Sequence, residues 1–127
     1  ENNADEATVL VRDARTGKDL ADQIEGGRYA APEWTKDSKG FYYVWLPKDP
    51  SVPVADIPGK RQIRYHALGT DPALDPVICP ALNDPTIFSA IDVSRDGRWL
   101  VLSVAHGWRR TDAMAKALPP QVQGELL

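Results

Sequence analysis

An internal repeat with a period of 59 residues constrains this chain more than any other feature of its sequence. The segment 34–39, WTKDSK, matches the segment 93–98, VSRDGR, and an apolar run follows each. Two aromatic residues that open the units, Tyr29 and Phe88, lie at the same spacing. An Asp followed by a small residue favours a tight hairpin, because Asp bonds its own backbone and glycine accepts a positive φ. A period of this size with about four strands per unit predicts the blades of a β-propeller.

Eleven prolines and nine glycines interrupt the chain at short intervals, which favours many short strands over a few long helices. The run 41–46, FYYVWL, is the strongest strand, because it is aromatic and β-branched almost throughout. It lacks polar alternation, so we expect both of its faces to be covered. The predicted strands are 8–11, 20–24, 29–35, 41–46, 61–68, 77–79, 88–93 and 99–104.

The predicted fold is therefore all-β, a partial β-propeller with one complete four-stranded blade flanked by half blades. Residues 1–7 form a polar N-terminal end, and residues 8–110 form the propeller segment, about two blades' worth of strands. Residues 111–127 form a tail in which 112–118 has the composition of a helix that Pro119 and Pro120 stop. The tail is a short helix, a frayed end or a stretch added to the natural chain.

Three stretches in this order resemble the prolyl oligopeptidase (prolyl endopeptidase) family of serine peptidases: 34–43, 64–72 and 94–98. The run Tyr-His-x-Leu-Gly-Thr-Asp at 65–71 is the most specific of them. The similarity covers about residues 8–110. The tail departs from the family pattern at the place where a further blade strand is expected.

This resemblance implies a seven-bladed propeller that caps an α/β-hydrolase domain and restricts access to it, so that only short peptides are cleaved, after proline. The chain would be a segment of that propeller. Its partners would be the hydrolase domain, the remaining blades and proline-containing peptides. The chain would be non-catalytic by itself. The alternative is a stand-alone β-rich module that binds a protein partner.

The chemistry of catalysis is absent from the sequence. No serine lies in the G-x-S-x-G pattern of a hydrolase nucleophile, and the catalytic Ser, Asp and His would lie elsewhere in the parent protein. The two histidines are interpreted as a strand-face residue, His66, and a loop residue, His106. With one cysteine and scattered acidic residues, no metal or other cofactor is predicted. Three aspartates are interpreted as turn residues: Asp71, Asp75 and Asp84.

Composition excludes other classes of function. The net charge is −3 with mixed signs and no basic stripe, which argues against binding to nucleic acid. No apolar run approaches the roughly 18 residues that a membrane span requires. The first six residues lack the basic and apolar parts of a signal peptide, and both cytoplasm and periplasm stay open as compartments.

The resemblance also implies that a few side chains of the propeller face the catalytic chamber and contact the bound peptide. Phe88 is the first candidate for such a contact, because it opens an inner strand near one mouth of the tunnel. Tyr29, its counterpart in the repeat, and Trp108 are the others. Aromatic rings at these places would cover the proline side of a peptide without hydrogen bonding to it.

Open blade edges lead to a prediction about the isolated chain. A closed propeller typically needs 4–8 blades, so unpaired strand edges should remain at both ends of this segment. We expect the isolated chain to self-associate in sedimentation velocity and light scattering. A monodisperse monomer with one cooperative melting transition would contradict the partial propeller.

Overall fold

The computed structural model describes residues 7–27 and 31–118, and within them the regular structure consists of β-strands and two short 3-10 helices. No helix in these residues is long and apolar enough to span a membrane. The strands are β1 (Val9–Arg12), β2 (Asp19–Ile24), β3 (Glu33–Trp34), β4 (Gly40–Trp45), β5 (Gln62–Ala67), β6 (Val77–Cys79), β7 (Ile87–Val93), β8 (Trp99–His106) and β9 (Arg110–Ala117). The 3-10 helices, Ile57–Lys60 and Pro72–Leu74, lie in the loops on either side of β5.

The strands form three antiparallel sheets, each made of consecutive strands. The first sheet is β1-β2, the second is β3-β4-β5-β6 and the third is β7-β8-β9. Short connections explain this order, because consecutive strands that are joined by tight turns pair with each other. The all-β prediction is confirmed. The predicted strand 29–35 appears as β3 alone, and residues 28–30 lie outside the described residues.

The helix predicted over 112–118 is wrong. This stretch belongs to β9, which pairs with β8 along its whole length, from His106 opposite Arg110 to Trp99 opposite Ala117. Leu118 follows, buried, and its backbone N–H donates to the carbonyl of Arg98 at 2.8 Å. Alanine, methionine and lysine favour a helix in isolation, but the open edge of β8 supplies backbone partners that a helix would leave unused. The rest of the predicted tail, 119–127, lies outside the described residues.

The second sheet is covered on both faces, as the run 41–46 predicts. Phe41 and Tyr43 point to the first sheet and pack in a cluster with Val9, Val11 and Ile24. Tyr42 points the other way, into a cluster with side chains of β5 and the third sheet. Phe41 and Tyr42 are almost completely buried, and burial raises the pKa of Tyr42 to about 12. Side chains of this one strand therefore join all three sheets.

The two repeated segments fold into equivalent turns, between β3 and β4 and between β7 and β8. Thr35 Oγ1 donates to Asp37 Oδ1 at 2.7 Å, and Ser94 Oγ donates to Asp96 Oδ1 at 2.6 Å. Each Asp Oδ1 also accepts the backbone N–H two residues further on, at 3.0 and 3.1 Å. The repeat in the sequence is thus a repeat of side-chain hydrogen bonds that close the same hairpin.

Both turns reverse through a residue with positive φ, and here the two repeats differ. The φ of Ser38 is 59° and that of Gly97 is 74°. Glycine adopts this conformation at no steric cost, whereas a side chain at Ser38 crowds its own backbone. A Cβ added to Gly97 would lie 3.1 Å from Cβ of Lys36, so the equivalent turns also pack against each other.

Exchanging these two residues should change stability in opposite directions. We expect Ser38→Gly to raise the free energy of unfolding by about 0.5–1 kcal/mol, because it removes a left-handed side chain. Gly97→Ser should lower it by at least about 1 kcal/mol. The control is Gly17→Ser, where φ is 69° and no atom lies near the added Cβ. Denaturant melts that give Gly97→Ser no greater loss than Gly17→Ser would contradict the packing of the two turns.

Candidate functional site

A groove of about 530 Å³ lies at the seam between the second and third sheets. Among the described residues β7 pairs only with β8, so its other edge faces this groove. Four consecutive residues of β7 therefore contribute to the wall, and the second sheet contributes the opposite side. The lining is mostly apolar and consists of Ala31, Val44, Arg61, Phe88, Ser89, Ala90, Ile91, Ser103 and Ala105.

Phe88 is the largest apolar side chain of the groove and is 58% exposed. Residues alternate along β7, so Phe88 and Ala90 point outward while Ile91 packs in the core. Opposite Phe88 on β8 lies Ala105, whose side chain is too small to cover the ring. The structure thus presents one aromatic ring at the end of a sheet, beside an apolar groove.

The other two predicted contacts are not part of the groove as described. Tyr29 lies outside the described residues. Trp108 is in the turn between β8 and β9 and is fully exposed, without contributing to the lining. The turn nevertheless lies at the same end of the third sheet as Phe88, because β8 ends next to the start of β7.

Arg61 is a groove residue that the sequence analysis missed. Its Nη1 donates to the carbonyl of Ile87 at 3.3 Å, and its Cζ lies 5.4 Å from the centroid of the Phe88 ring. Only 8% of this residue is exposed. The inward direction of Arg61 could have been predicted from the sequence. Arg61 continues the two-residue alternation of Ile63 and Tyr65, which both point into the core.

A second cluster of polar side chains lies between the first and second sheets, and its centre is His66. The ring is completely buried. Its Nε2 lies 2.9 Å from Asp22 Oδ1 on β2, and its Nδ1 lies 2.9 Å from Asp75 Oδ1 in the loop before β6. Tyr43 completes this His66 cluster by donating its hydroxyl to Asp75 Oδ2 at 2.8 Å. The interpretation of Asp75 as a turn residue alone is therefore wrong.

Both ring nitrogens of His66 face a carboxylate oxygen. A neutral ring has one N–H and one acceptor nitrogen, whereas His66 has a carboxylate at both nitrogens. Burial by itself raises the pKa of Asp22, but the hydrogen bonds from the Gly69 N–H and from His66 outweigh burial and lower this pKa below its ordinary 3.8. Burial and the hydrogen bond to Asp75 raise the pKa of Tyr43 well above its usual range. The cluster is thus a buried network of hydrogen bonds in which one imidazole joins two carboxylates.

The most specific run of the sequence, residues 65–71, builds this cluster. His66 is its second residue, and Gly69, with a φ of 82°, turns the chain so that its N–H reaches Asp22 Oδ1 at 2.6 Å. Asp71 then caps the 3-10 helix Pro72–Leu74 by accepting from the N–H of Ala73 at 3.0 Å, as expected of a turn residue. This short helix carries the chain to Asp75.

The His66 cluster holds parts of the fold together and does not contact a bound molecule through its imidazole, because that ring has no exposed surface. The other histidine, His106, is the last residue of β8 rather than a loop residue, and its Nε2 lies 3.1 Å from Asp112 Oδ2. Among the described residues, neither ring is hydrogen-bonded to a serine hydroxyl. The groove that contains Phe88 is therefore the candidate site.

Comparisons with known proteins identify relatives for nearly the whole chain. The family model of the prolyl oligopeptidase N-terminal β-propeller domain matches residues 1–121. A prolyl endopeptidase from Elizabethkingia miricola is 28% identical over 120 residues, which cover 93% of this chain and 17% of the relative. The chain spans only 15–17% of the length of the curated relatives that it matches first.

Solved structures of a prolyl endopeptidase and a prolyl oligopeptidase also match the chain. A structure from a study of two prolyl endopeptidases matches with a TM-score of 0.87 at 50% identity, over 91% of this chain and 17% of its own. Prolyl oligopeptidase B from Galerina marginata, bound to a 25mer macrocyclization substrate, matches with a TM-score of 0.77. That match has 21% identity and covers 97% of this chain and 19% of its own, so it shows a likeness of fold.

The two histidines supply a matched test of the buried network. We expect His66→Gln to lower the free energy of unfolding by about 3–5 kcal/mol, because it leaves two buried carboxylates without the imidazole that bonds both of them. His106→Gln should cost less than about 1 kcal/mol, because that residue and its partner are partly exposed. Equal losses from the two substitutions in chemical denaturation would show that the cluster carries no special share of stability.

Proposed function

This chain belongs to the prolyl oligopeptidase N-terminal β-propeller family, and we propose that it is part of the substrate-gating propeller of a proline-specific serine endopeptidase. In this proposal the chain is non-catalytic by itself. The α/β-hydrolase domain with the catalytic Ser, Asp and His, and the remaining blades, lie elsewhere in the parent. The short share of each relative that the chain covers supports a parent of that size.

The three sheets correspond, in this proposal, to successive blades. The first sheet is the outer pair of strands of one blade, the second sheet is a complete four-stranded blade, and the third sheet is three strands of the next. The equivalent turns of the 59-residue repeat support this assignment, since they close corresponding strands of neighbouring sheets. In the described residues, the edge of β1 that faces away from β2 and the edge of β9 that faces away from β8 have no partner strand. Both unpaired edges fit a propeller that contains further strands.

The groove next to Phe88 is the proposed contact with the peptide. One observation carries this role: a large aromatic ring is more than half exposed in an apolar groove, on the first strand of a sheet. In a propeller the first strand of each blade lines the central tunnel, and the start of β7 would be at one mouth of it. An apolar wall there would cover the proline side of a short peptide without forming hydrogen bonds to it. Trp108 and Tyr29 are proposed as further contacts at the same mouth.

The alternative, a stand-alone module that binds a protein partner, has weaker support. The relatives that match are peptidases in which this region is a small part. A mass measurement of the intact parent polypeptide separates the two functions. A polypeptide of about 127 residues would favour the module, and one several times longer with a G-x-S-x-G segment would favour the peptidase.

Removing the Phe88 ring should weaken peptide binding. In the full-length peptidase we expect Phe88→Ala to raise KM for proline-containing peptides by about three- to tenfold, with kcat nearly unchanged, because an aromatic contact common to the ground and transition states is lost. The control is Trp99→Ala, which removes a partly exposed aromatic ring at the opposite end of the third sheet. Unchanged kinetics for Phe88→Ala, with reduced stability alone, would make Phe88 an ordinary packing residue.

A further inference from the structure

We propose that Arg61 is a positioning residue, which holds the Phe88 ring at the wall of the groove. The inference deepens the proposed function and rests on it in part, since it concerns the same peptide contact. It assigns to the second sheet a role in shaping a site whose aromatic ring belongs to the third.

Arg61 contacts both the backbone and the ring at the start of β7. The hydrogen bond from Nη1 to the Ile87 carbonyl holds the peptide unit immediately before Phe88. The guanidinium carbon lies 5.4 Å from the ring centroid, within the range in which a cation over an aromatic face is attractive. Because the guanidinium is planar, one group makes both contacts at once, which an ammonium could not do equally well.

The third sheet gives Phe88 little support of its own. Of the other groove residues from β7 and β8, Ile91 is buried in the core and the rest are small, namely Ser89, Ala90, Ser103 and Ala105. A ring that is 58% exposed on such a surface receives few contacts from its own sheet to fix its orientation. A contact from the second sheet is therefore the means by which one orientation is selected.

Arg61 also separates the groove from a second cavity. A space of about 190 Å³ lies further along the seam between the sheets. Arg61 and Ser89 line both spaces, so their side chains form the partition between them. The guanidinium therefore borders the Phe88 ring on the side of the second cavity, whose walls also include Ile63, Cys79, Pro80, Leu82, Leu102 and Met114.

The burial of Arg61 favours a single arrangement of its guanidinium and the Phe88 ring. Only 8% of Arg61 is exposed, and a charged group at this depth is costly unless its donors and its positive charge are compensated. The Ile87 carbonyl and the Phe88 ring are two of the compensating groups. Movement of the ring away from the guanidinium would remove one of them, which favours the orientation that faces the groove.

A double-mutant cycle in the full-length peptidase tests the inference. Arg61→Met keeps a long side chain and removes the charge and the donors. We expect it to raise KM for proline-containing peptides about fivefold with kcat nearly unchanged, and Arg61→Lys to raise KM by less. In the Phe88→Ala background, Arg61→Met should have no further effect on KM, because Arg61 acts through the ring. The same fivefold rise in both backgrounds would overturn the inference.

A second readout keeps this inference separate from the proposed function. With 4-fluorophenylalanine incorporated at position 88, the ¹⁹F resonance reports the surroundings of the ring without any peptide. Arg61→Met should shift or broaden this resonance, and Arg61→Lys should retain most of the original signal. If Phe88→Ala leaves KM unchanged, the proposed peptide contact fails while the resonance still decides the positioning. An unchanged resonance in a folded Arg61→Met variant would overturn the inference. If that variant does not fold, Arg61→Gln, which also removes the positive charge, takes its place, and an unchanged resonance there would overturn the inference in the same way.

Discussion

The buried hydrogen-bond network around His66 is the interaction on which the relation between the first and second sheets depends. An imidazole with no exposed surface lies between a carboxylate of β2 and a carboxylate of the loop before β6. Such a group is unfavourable in an apolar interior unless each of its donors and each facing carboxylate is satisfied. Gly69 and Tyr43 supply the remaining hydrogen bonds, so the network specifies one docking geometry for three separate parts of the chain.

The candidate site depends on the other face of the same sheet. β4 sends Phe41 and Tyr43 to the first sheet and Tyr42 to the third, so the second sheet is held from both sides. The groove lies between the second and third sheets and is lined by residues of both. Phe88 comes from one sheet and Arg61 from the segment that enters the other, so the geometry of the site follows from the packing of the two sheets.

Much of the fold could be predicted from local patterns, because hairpin turns are closed by residues that are neighbours in sequence. The hydroxyl–Asp turns at 35–39 and 94–98 are an example, as is the covered strand that begins at Phe41. The helix expected near Met114 was wrong, because composition reports intrinsic preference and not the open strand edge beside it. The interpretation that the tail departs from the family pattern was wrong for the same reason, since the further strand that the pattern contains is β9. Asp75 was interpreted from its turn alone, although its partner His66 lies nine residues away, on β5.

The sequence by itself determined that the chain is all-β, that it repeats every 59 residues and that the residues of a hydrolase nucleophile are absent from it. It also selected Phe88 by its place in the repeat. Only the tertiary structure decided that His66 is a buried link between sheets and that Arg61 reaches the Phe88 ring. The physical reason is distance along the chain. Turns and alternation are local, whereas a buried charge is tolerated only where partners from remote segments meet it, and such meetings exist only after the sheets have packed.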